Sequence, residues 1–294
     1  MKNSNSRISS RVQRNWDWRA SGNFIGGGVG TGLVFWSTLL SPLGFDSLPL
    51  MLLGLALVGI GLFCVWLEIG RPWRALNVFK HMSTSWMSRE ALVAPLLFCV
   101  GAAAWLFEPS LVWPTALLAL LFLYSQARIL RADKGIPAWR HPRCALLVIS
   151  TGLTEGCGLL ILALPLLDQH QPWIWALMLG LLLTRALIWR YYRTGLKRAN
   201  APAACQKQLA AVDAKFLWLG HGLAALLLGV AWVQPEAAMI AGALAFISGA
   251  WIKYVLVCKA SFVQGFSMPH LPVRGQRAPQ RPQQRSQSSS ASAV

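Results

Sequence analysis

The chain has 294 residues, 55% of them hydrophobic, and carries 27 Lys and Arg against 10 Asp and Glu, a formal net charge of +17. Apolar stretches occupy more than half of it, which leaves no room for a second globular domain. The charge has no soluble fold to sit on, so nucleic-acid binding is excluded in favour of basic loops that hold topology and touch anionic head groups.

Residues 1–21 are basic and polar, and no A-x-A cleavage site follows the next apolar run, so they read as a retained cytoplasmic segment and not a signal peptide. Trp16 and Trp18 are expected at the membrane surface, where indole rings concentrate. Eight apolar stretches follow, at 22–41, 47–67, 90–107, 111–130, 144–167, 173–192, 215–234 and 237–258. Each approaches the ~20 residues that a helix needs to cross hydrocarbon. The connections after the first, third, fifth and seventh stretches hold acids (Asp46, Glu108, Asp168, Glu236) and no Lys or Arg. All 27 basic residues fall in the N-terminus, the other connections, the C-terminus or the helix ends nearest to them. Positive charge stays on the cytoplasmic side. The expected fold is therefore an all-α integral membrane protein of eight transmembrane helices over 22–258, with both termini inside. Residues 259–294 form a cytoplasmic tail, disordered from about 275 because it has almost nothing to bury.

The first stretch carries glycines four apart (Gly26/Gly30 and Gly28/Gly32), which suits close backbone approach of another helix. The same glycines, Gly28 among them, are also able to admit a flat ligand. The connection between stretches two and three is the richest in chemistry. It contains Glu68, Gly70, Arg71, Pro72, Trp73, Arg74, Asn77, Lys80 and His81, then Ser85, Trp86, Ser88, Arg89 and Glu90. Gly70 and Pro72 end one span and begin a short amphipathic helix in the interface, with Trp73, Leu76 and Phe79 on one face. Ser88 is the expected cap of span three.

Deeper in the bilayer, Glu155 stands near the middle of span five. An acid there costs about 2–3 kcal/mol on insertion scales and is expected to be functional or paired. Arg185 of span six is its expected partner. Lys253 of span eight either snorkels to the interface or faces a site. Only His221 lies within a span, so a haem held by two opposed histidines is not expected. The six cysteines show no C-x-x-C spacing, and neither an iron–sulfur cluster nor a zinc site is expected in this chain.

The segments Gly70-Arg71-Pro72-x-Arg74-Ala75-x-Asn77 and Thr84-Ser85-Trp86-x-Ser88-Arg89-Glu90 resemble those of the membrane anchor subunits of the dimethyl-sulfoxide-reductase type. The glycines of span one, Ile136-Pro137-Ala138-Trp139, Thr151-Gly152-Leu153-Thr154-Glu155-Gly156 and the ending 265–275 fit the same group, over about residues 20–275. The resemblance implies a quinone site (ubiquinone or menaquinone) and no haem. It also implies a ferredoxin-like iron–sulfur subunit that joins a molybdopterin catalytic subunit. In the dimethyl-sulfoxide-reductase anchor a histidine linked to quinol stands where this chain has Glu68. With the signature loop on the cytoplasmic side, the chain is similar to anchors of cytoplasm-facing dehydrogenases, with sulfite favoured as substrate ahead of phenylacetyl-CoA.

A quinone that takes two electrons takes two protons and needs donors for its carbonyls. Glu68 and then Glu90 are the candidate proton-transfer groups, against an ion pair with Arg71 or Arg74 for Glu68 and a first-turn acid favoured by the helix dipole for Glu90. Arg71, Arg89 and Lys253 are candidate quinone ligands. Arg74, Lys80 and His81 are candidate docking residues for the iron–sulfur subunit, together with the basic stretches 128–143 and 190–215. The setting is the bacterial inner membrane. A secondary transporter is a rival, although no clear repeat between spans 1–4 and 5–8 is visible, and a purely structural anchor is another. A reporter fused to the C-terminus is expected to be active only as a cytoplasmic fusion; activity confined to the periplasmic type overturns the topology.

Overall fold

The computed structural model describes residues 9–44, 46–69, 72–167 and 172–267. The chain is mostly helical. Eight long helical segments run alternately up and down: α1 (Trp18–Leu40), α2 (Ser47–Trp66), α3 (Trp86–Leu106), α4 (Val112–Ala132), α6 (Pro142–Ala163), α7 (Trp173–Arg198), a composite of α8 (Ala203–Leu217), a π-helical turn (Trp218–Leu223) and α9 (Ala224–Val230), and α10 (Glu236–Tyr254) with a second π turn to Lys259. A short α5 (Pro137–Arg140) precedes α6. Seven of the eight are long and apolar enough to cross a membrane. The remaining one, α1, matches them in length but contains Arg19, Asn23 and six glycines. Large apolar side chains such as Ile60, Leu117, Leu183, Leu226 and Ile247 cover the outer surface, as lipid contact requires.

Helices extend past the apolar stretches at the basic end: α1 begins at Trp18, α3 at Trp86, α7 runs to Arg198 and α8 begins at Ala203. A charged residue ends a hydropathy run, but backbone i→i−4 bonding continues into water. Asp17 caps α1 by accepting from the Arg19 N–H. Ser85, and not Ser88, caps α3, its side chain accepting from the Ser88 N–H at 3.4 Å. The segment Pro72–His81 is a 3-10 helix. Its three-residue turn puts Leu76 and Phe79 in one row, and both are exposed at the basic end. Gly70 and Arg71 lie outside the described residues, as do residues 1–8, Asp168 and the tail from 268.

One part of the all-α expectation is corrected. Strand β1 (Ser9–Val12) pairs antiparallel with β2 (Phe262–Ser267), in register Ser9–Ser267 and Val12–Phe262. Gln264 N–H donates to the Gly135 carbonyl at 3.0 Å, so the ribbon ties both chain ends to the loop between α4 and α5. Trp18 is exposed as expected. Trp16, in contrast, stacks on Trp139 with ring centroids 4.9 Å apart. Such short pairings depend on neighbours distant in sequence and leave no hydropathy signal.

The centre of the molecule is α1. Gly26 and Gly30 meet the backbone of α2 at Leu57, Gly61 and Gly54, so the two helices cross antiparallel at backbone contact. On another face Gly28 and Gly32 meet Gly152 and Gly156 of α6, with the two helices running parallel. Gly158 and Gly242 join α6 to α10 in the same way. The pattern of pairing recurs in the two halves. In the first, α1 packs on α2 and α4, and α3 on α4. In the second, α6 packs on α7 and α10, and α10 on α9. Gly28 and Gly32 stand ten and fourteen residues after Trp18, and Gly152 and Gly156 stand ten and fourteen after Pro142. The sequences Gly28-Val-Gly-Thr-Gly32 and Gly152-Leu-Thr-Glu-Gly156 share little beyond these glycines, which is why the repeat escapes a reading of the sequence.

A methyl group on Gly156 would overlap the backbone of Gly32 and Leu33, whereas one on Gly180 meets nothing. Overpacked cores typically lose about 1–3 kcal/mol. Gly156→Ala is therefore expected to lower thermal stability in detergent by that order, and Gly180→Ala to leave it unchanged or slightly raised.

Candidate functional site

Ionisable and amide side chains gather at three levels along α1. At the basic surface, Arg19 forks onto the Asp17 carboxylate at 2.8–3.1 Å. It also donates to the Leu67 carbonyl at 2.9 Å, which fixes the end of α2. Glu68, in the turn after α2, is half-buried. Burial pushes its carboxyl above the ordinary range, the Asp17 charge adds to that, and Arg19 opposes it. The expected partners of Glu68 are not open to description: Arg71 and the side chain of Arg74 lie outside the described residues. Lys80 and His81 are exposed.

The second level lies one turn further in. Glu90, which lies just past the first turn of α3 and not within it as expected, is buried. It accepts from the Asn23 side-chain amide at 3.1 Å, and Gln126 of α4 stands beside it. The Gln126 amide donates to the Asn23 carbonyl at 2.9 Å, and a Cβ at Gly27 would strike that amide. Among the described residues no cation pairs with Glu90. Arg89 points elsewhere. It donates to the Met82 and Ser83 carbonyls at 3.1 and 2.7 Å and stacks on Trp86, whose ring also carries Arg128. It therefore holds the signature loop against α3 and α4 through donors that a ligand would otherwise use.

At the third level Glu155 and Lys253 form a fully buried ion pair at 2.5 Å. This corrects the expected Glu155–Arg185 pair. Lys253 does not snorkel, and its ammonium does not reach a surface site. It lies against Gly28, and the Glu155 carboxylate lies against Gly249; a side chain at either glycine would occupy that space. Gly28 thus accommodates the lysine.

Arg185 is equally buried but has neutral partners: His221 Nε2 at 3.0 Å, the Ala245 carbonyl at 2.9 Å, the Gly220 carbonyl at 3.0 Å and Ser248 Oγ at 3.2 Å. His221 Nδ1 lies 2.9 Å from the Phe216 carbonyl. A carbonyl only accepts, so Nδ1 carries the proton and Nε2 accepts from Arg185. The π turn that holds Gly220 and His221 interrupts the regular bonding pattern of that span, and it supplies partners for a charge that would otherwise be bare.

Asn23 and Gln126 are not among the residues that the sequence marks. Gln126 is open to detection as an amide in an otherwise apolar run, whereas Asn23 gives no such signal, because the neighbours that give it meaning come from other helices. Thr151 and Arg128 are marked only as parts of a family segment and a basic stretch. No group of three or more His, Cys, Asp or Glu able to hold a metal ion is found among the described residues.

A mostly helical, multi-pass membrane protein with acids buried between its helices is the class that fold and site define. The model of the DMSO reductase anchor subunit (DmsC) family matches residues 47–264. The chain belongs to that family. It is 32% identical over 151 residues to the C chain of the anaerobic dimethyl sulfoxide reductase of Haemophilus influenzae, a match covering 45% of this protein and 54% of that one. It is 29% identical over 93 residues to the protein of the same description from Escherichia coli strain K12, covering 28% and 32%. The matched part spans about half the length of the first relative and about a third of the second.

Removing one member of a buried ion pair costs about 3–5 kcal/mol, because the other charge is left without compensation. Lys253→Met is expected to destabilise the protein on that scale in detergent unfolding. Adding Glu155→Gln is expected to restore much of the loss, giving a double-mutant cycle with clear coupling.

Proposed function

We propose that this chain is the quinone-reactive anchor of a molybdopterin and iron–sulfur oxidoreductase. In this reading it spans the bacterial inner membrane eight times, both ends are cytoplasmic, and α1 is one of the spans because it lies inside the bundle against α2, α4, α6 and α10. The loops at the basic end, including Arg74, Lys80 and His81, dock a ferredoxin-like subunit. That subunit delivers electrons drawn from a substrate by a molybdopterin subunit. Sulfite is the favoured substrate on the resemblance to cytoplasm-facing anchors; a sulfoxide, after the relatives named for dimethyl sulfoxide reductase, is the next, and with it electrons would run the other way, from quinol to the sulfoxide.

The observation that carries the reading is the setting of Glu90. A buried carboxyl with amide neighbours and no cationic partner among the described residues suits a group that gains and loses a proton. A quinone bound beside it would accept two electrons and two protons. The unpartnered amide oxygens beside Glu90 fit such a ligand: Asn23 Oδ1 and Gln126 Oε1 offer acceptors to a quinol hydroxyl or to water that reaches it. Glu68, half-buried at the surface, is placed to pass protons between water and Glu90. These assignments reverse the order expected from the sequence, with Glu90 now at the reaction and Glu68 at the mouth. Arg89 acts by holding the loop, and Lys253 belongs to the deeper ion pair.

The transporter reading is weakened in the sequence by the want of a visible repeat. A repeat of helix pairing is present, so that objection lapses; the family match and the position of Glu68 and Glu90 near one end favour the anchor. Glu90→Gln is expected to slow quinone-linked turnover by about 100- to 10,000-fold, the usual range for loss of an acid–base group, while turnover with a dye that takes electrons from the soluble subunits is kept. Glu68→Gln is expected to slow it less. A proton donor must be protonated, and the raised pKa keeps Glu68 so to a higher pH than an ordinary carboxyl. The wild-type quinone-linked rate should therefore fall as pH rises through that region, and the fall should vanish in Glu68→Gln. Wild-type turnover with quinone in Glu90→Gln leaves the structural anchor as the surviving reading.

A further inference from the structure

Five buried side-chain atoms among the described residues have no hydrogen-bond partner: Ser21 Oγ, Asn23 Oδ1, Gln126 Oε1, Thr151 Oγ1 and Glu155 Oε1. They are not scattered. They lie on α1, α4 and α6, three helices that pack on one another. Asn23 and Gln126 lie at the Glu90 level, and Thr151 and Glu155 carry the series to the buried pair with Lys253. Adjacent residues of α1 mark the join, since Gly27 faces Gln126 and Gly28 faces Lys253. Thr151 and Glu155 are one turn apart on the same face of α6. Buried polar groups without protein partners are ordinarily satisfied by water, which needs two to four such partners to be held.

Beyond the Glu155–Lys253 pair no such atom is found among the described residues. Toward the opposite face, past Glu155, the core is apolar: Leu33, Trp36, Leu160, Ile161, Met178 and Leu182 close it. The hydroxyls in that half are bonded to main-chain carbonyls, Ser37 to Val34, Thr38 to Val112 and Thr115 to Leu111. The charges that face the pair are few. From α7 comes Arg185, whose field reaches Glu155; from the π turn comes His221, already fixed in its neutral form; α1 and α4 supply no titratable group at that level. The cluster therefore sets one carboxylate against two cations. Arg185 keeps its proton under all ordinary conditions, so the exchangeable proton is the one on Lys253 Nζ.

We propose that Thr151, Glu155 and Lys253 form a hydrated proton-exchange site that opens only toward Glu90 and stores the second of the two protons required by the quinone. The second clause rests on the function proposed above. One proton leaves Lys253 Nζ, passes along water held by Thr151, Gln126 and Asn23, and replaces the proton that Glu90 has given up. Lys253 is left as a neutral amine against the Glu155 carboxylate and is reprotonated from the basic end. No electron moves in this step, and no charge crosses the apolar half.

Sidedness and hydration are tested without quinone. Thr151→Cys is expected to react with silver ion, above the level of the unsubstituted protein, in vesicles that expose the basic end and not in vesicles of opposite orientation. Adding Gln126→Leu, which breaks the series, is expected to slow that reaction at least tenfold. Reaction from the opposite face, reaction from neither face, or indifference to Gln126→Leu overturns the site. In the assembled complex, Glu155→Gln with Lys253→Met, which leaves the net charge unchanged, is expected to lower quinone-linked kcat about tenfold with KM and dye-linked turnover unchanged; an unchanged kcat overturns the storage role. If the unsubstituted complex does not reduce quinone at all, the proposed function fails while the thiol result still decides the site.

Discussion

Backbone-to-backbone contact along α1 is the constraint from which the rest of the arrangement follows. In lipid, apolar side chains gain nothing by leaving one apolar medium for another, so helices associate through close packing and polar contacts. Glycines on two faces of α1 let α2 approach on one side and α6 on the other. That approach buries most of α1 and places the inner faces of α3, α4 and α10 within reach of its remaining surface. A helix so enclosed does not need an apolar exterior. This explains how α1 carries Asn23 and six glycines where the seven others carry leucine and isoleucine.

Enclosure also explains where charge is tolerated. Glu155 and Lys253 meet in space left by Gly28 and Gly249, and Arg185 is met by carbonyls and a histidine at a π turn. Each deep charge is thus matched to a local irregularity, either a missing side chain or a displaced carbonyl. The shallower acids are different. Glu90 has amides for neighbours and Glu68 sits at the edge of solvent, so neither is locked into an ion pair among the described residues. Along the chain's long axis, Glu68 and Glu90 near the basic end stand outside any described ion pair, and the charge further in is compensated.

Much of this was legible from composition alone. The helices appear as apolar runs, and their ends are displaced only where charge and hydrogen bonding part company, as at Trp86 and Arg198. The loop from Glu68 to Glu90 announced itself through its density of arginine, tryptophan and acid. The pairing inside the bundle was not legible. Arg185 and Lys253 are both single cations in apolar runs, and only the positions of Gly28 and Gly249 decide which one meets Glu155. The recurrence of helix pairing between the halves was hidden as well, because it is preserved in a few glycines and in geometry.

By itself the sequence determined the membrane setting, the number of long helices, the side on which positive charge collects and the family signature, because each depends on local composition or on residues close together in the chain. The tertiary structure alone decided which face of α1 meets which helix, that β1 and β2 join the two ends, that Asn23 and Gln126 surround Glu90, and that Lys253 partners Glu155. Those outcomes depend on contacts between residues from about 24 to about 260 positions apart, and no periodicity within a single helix encodes them.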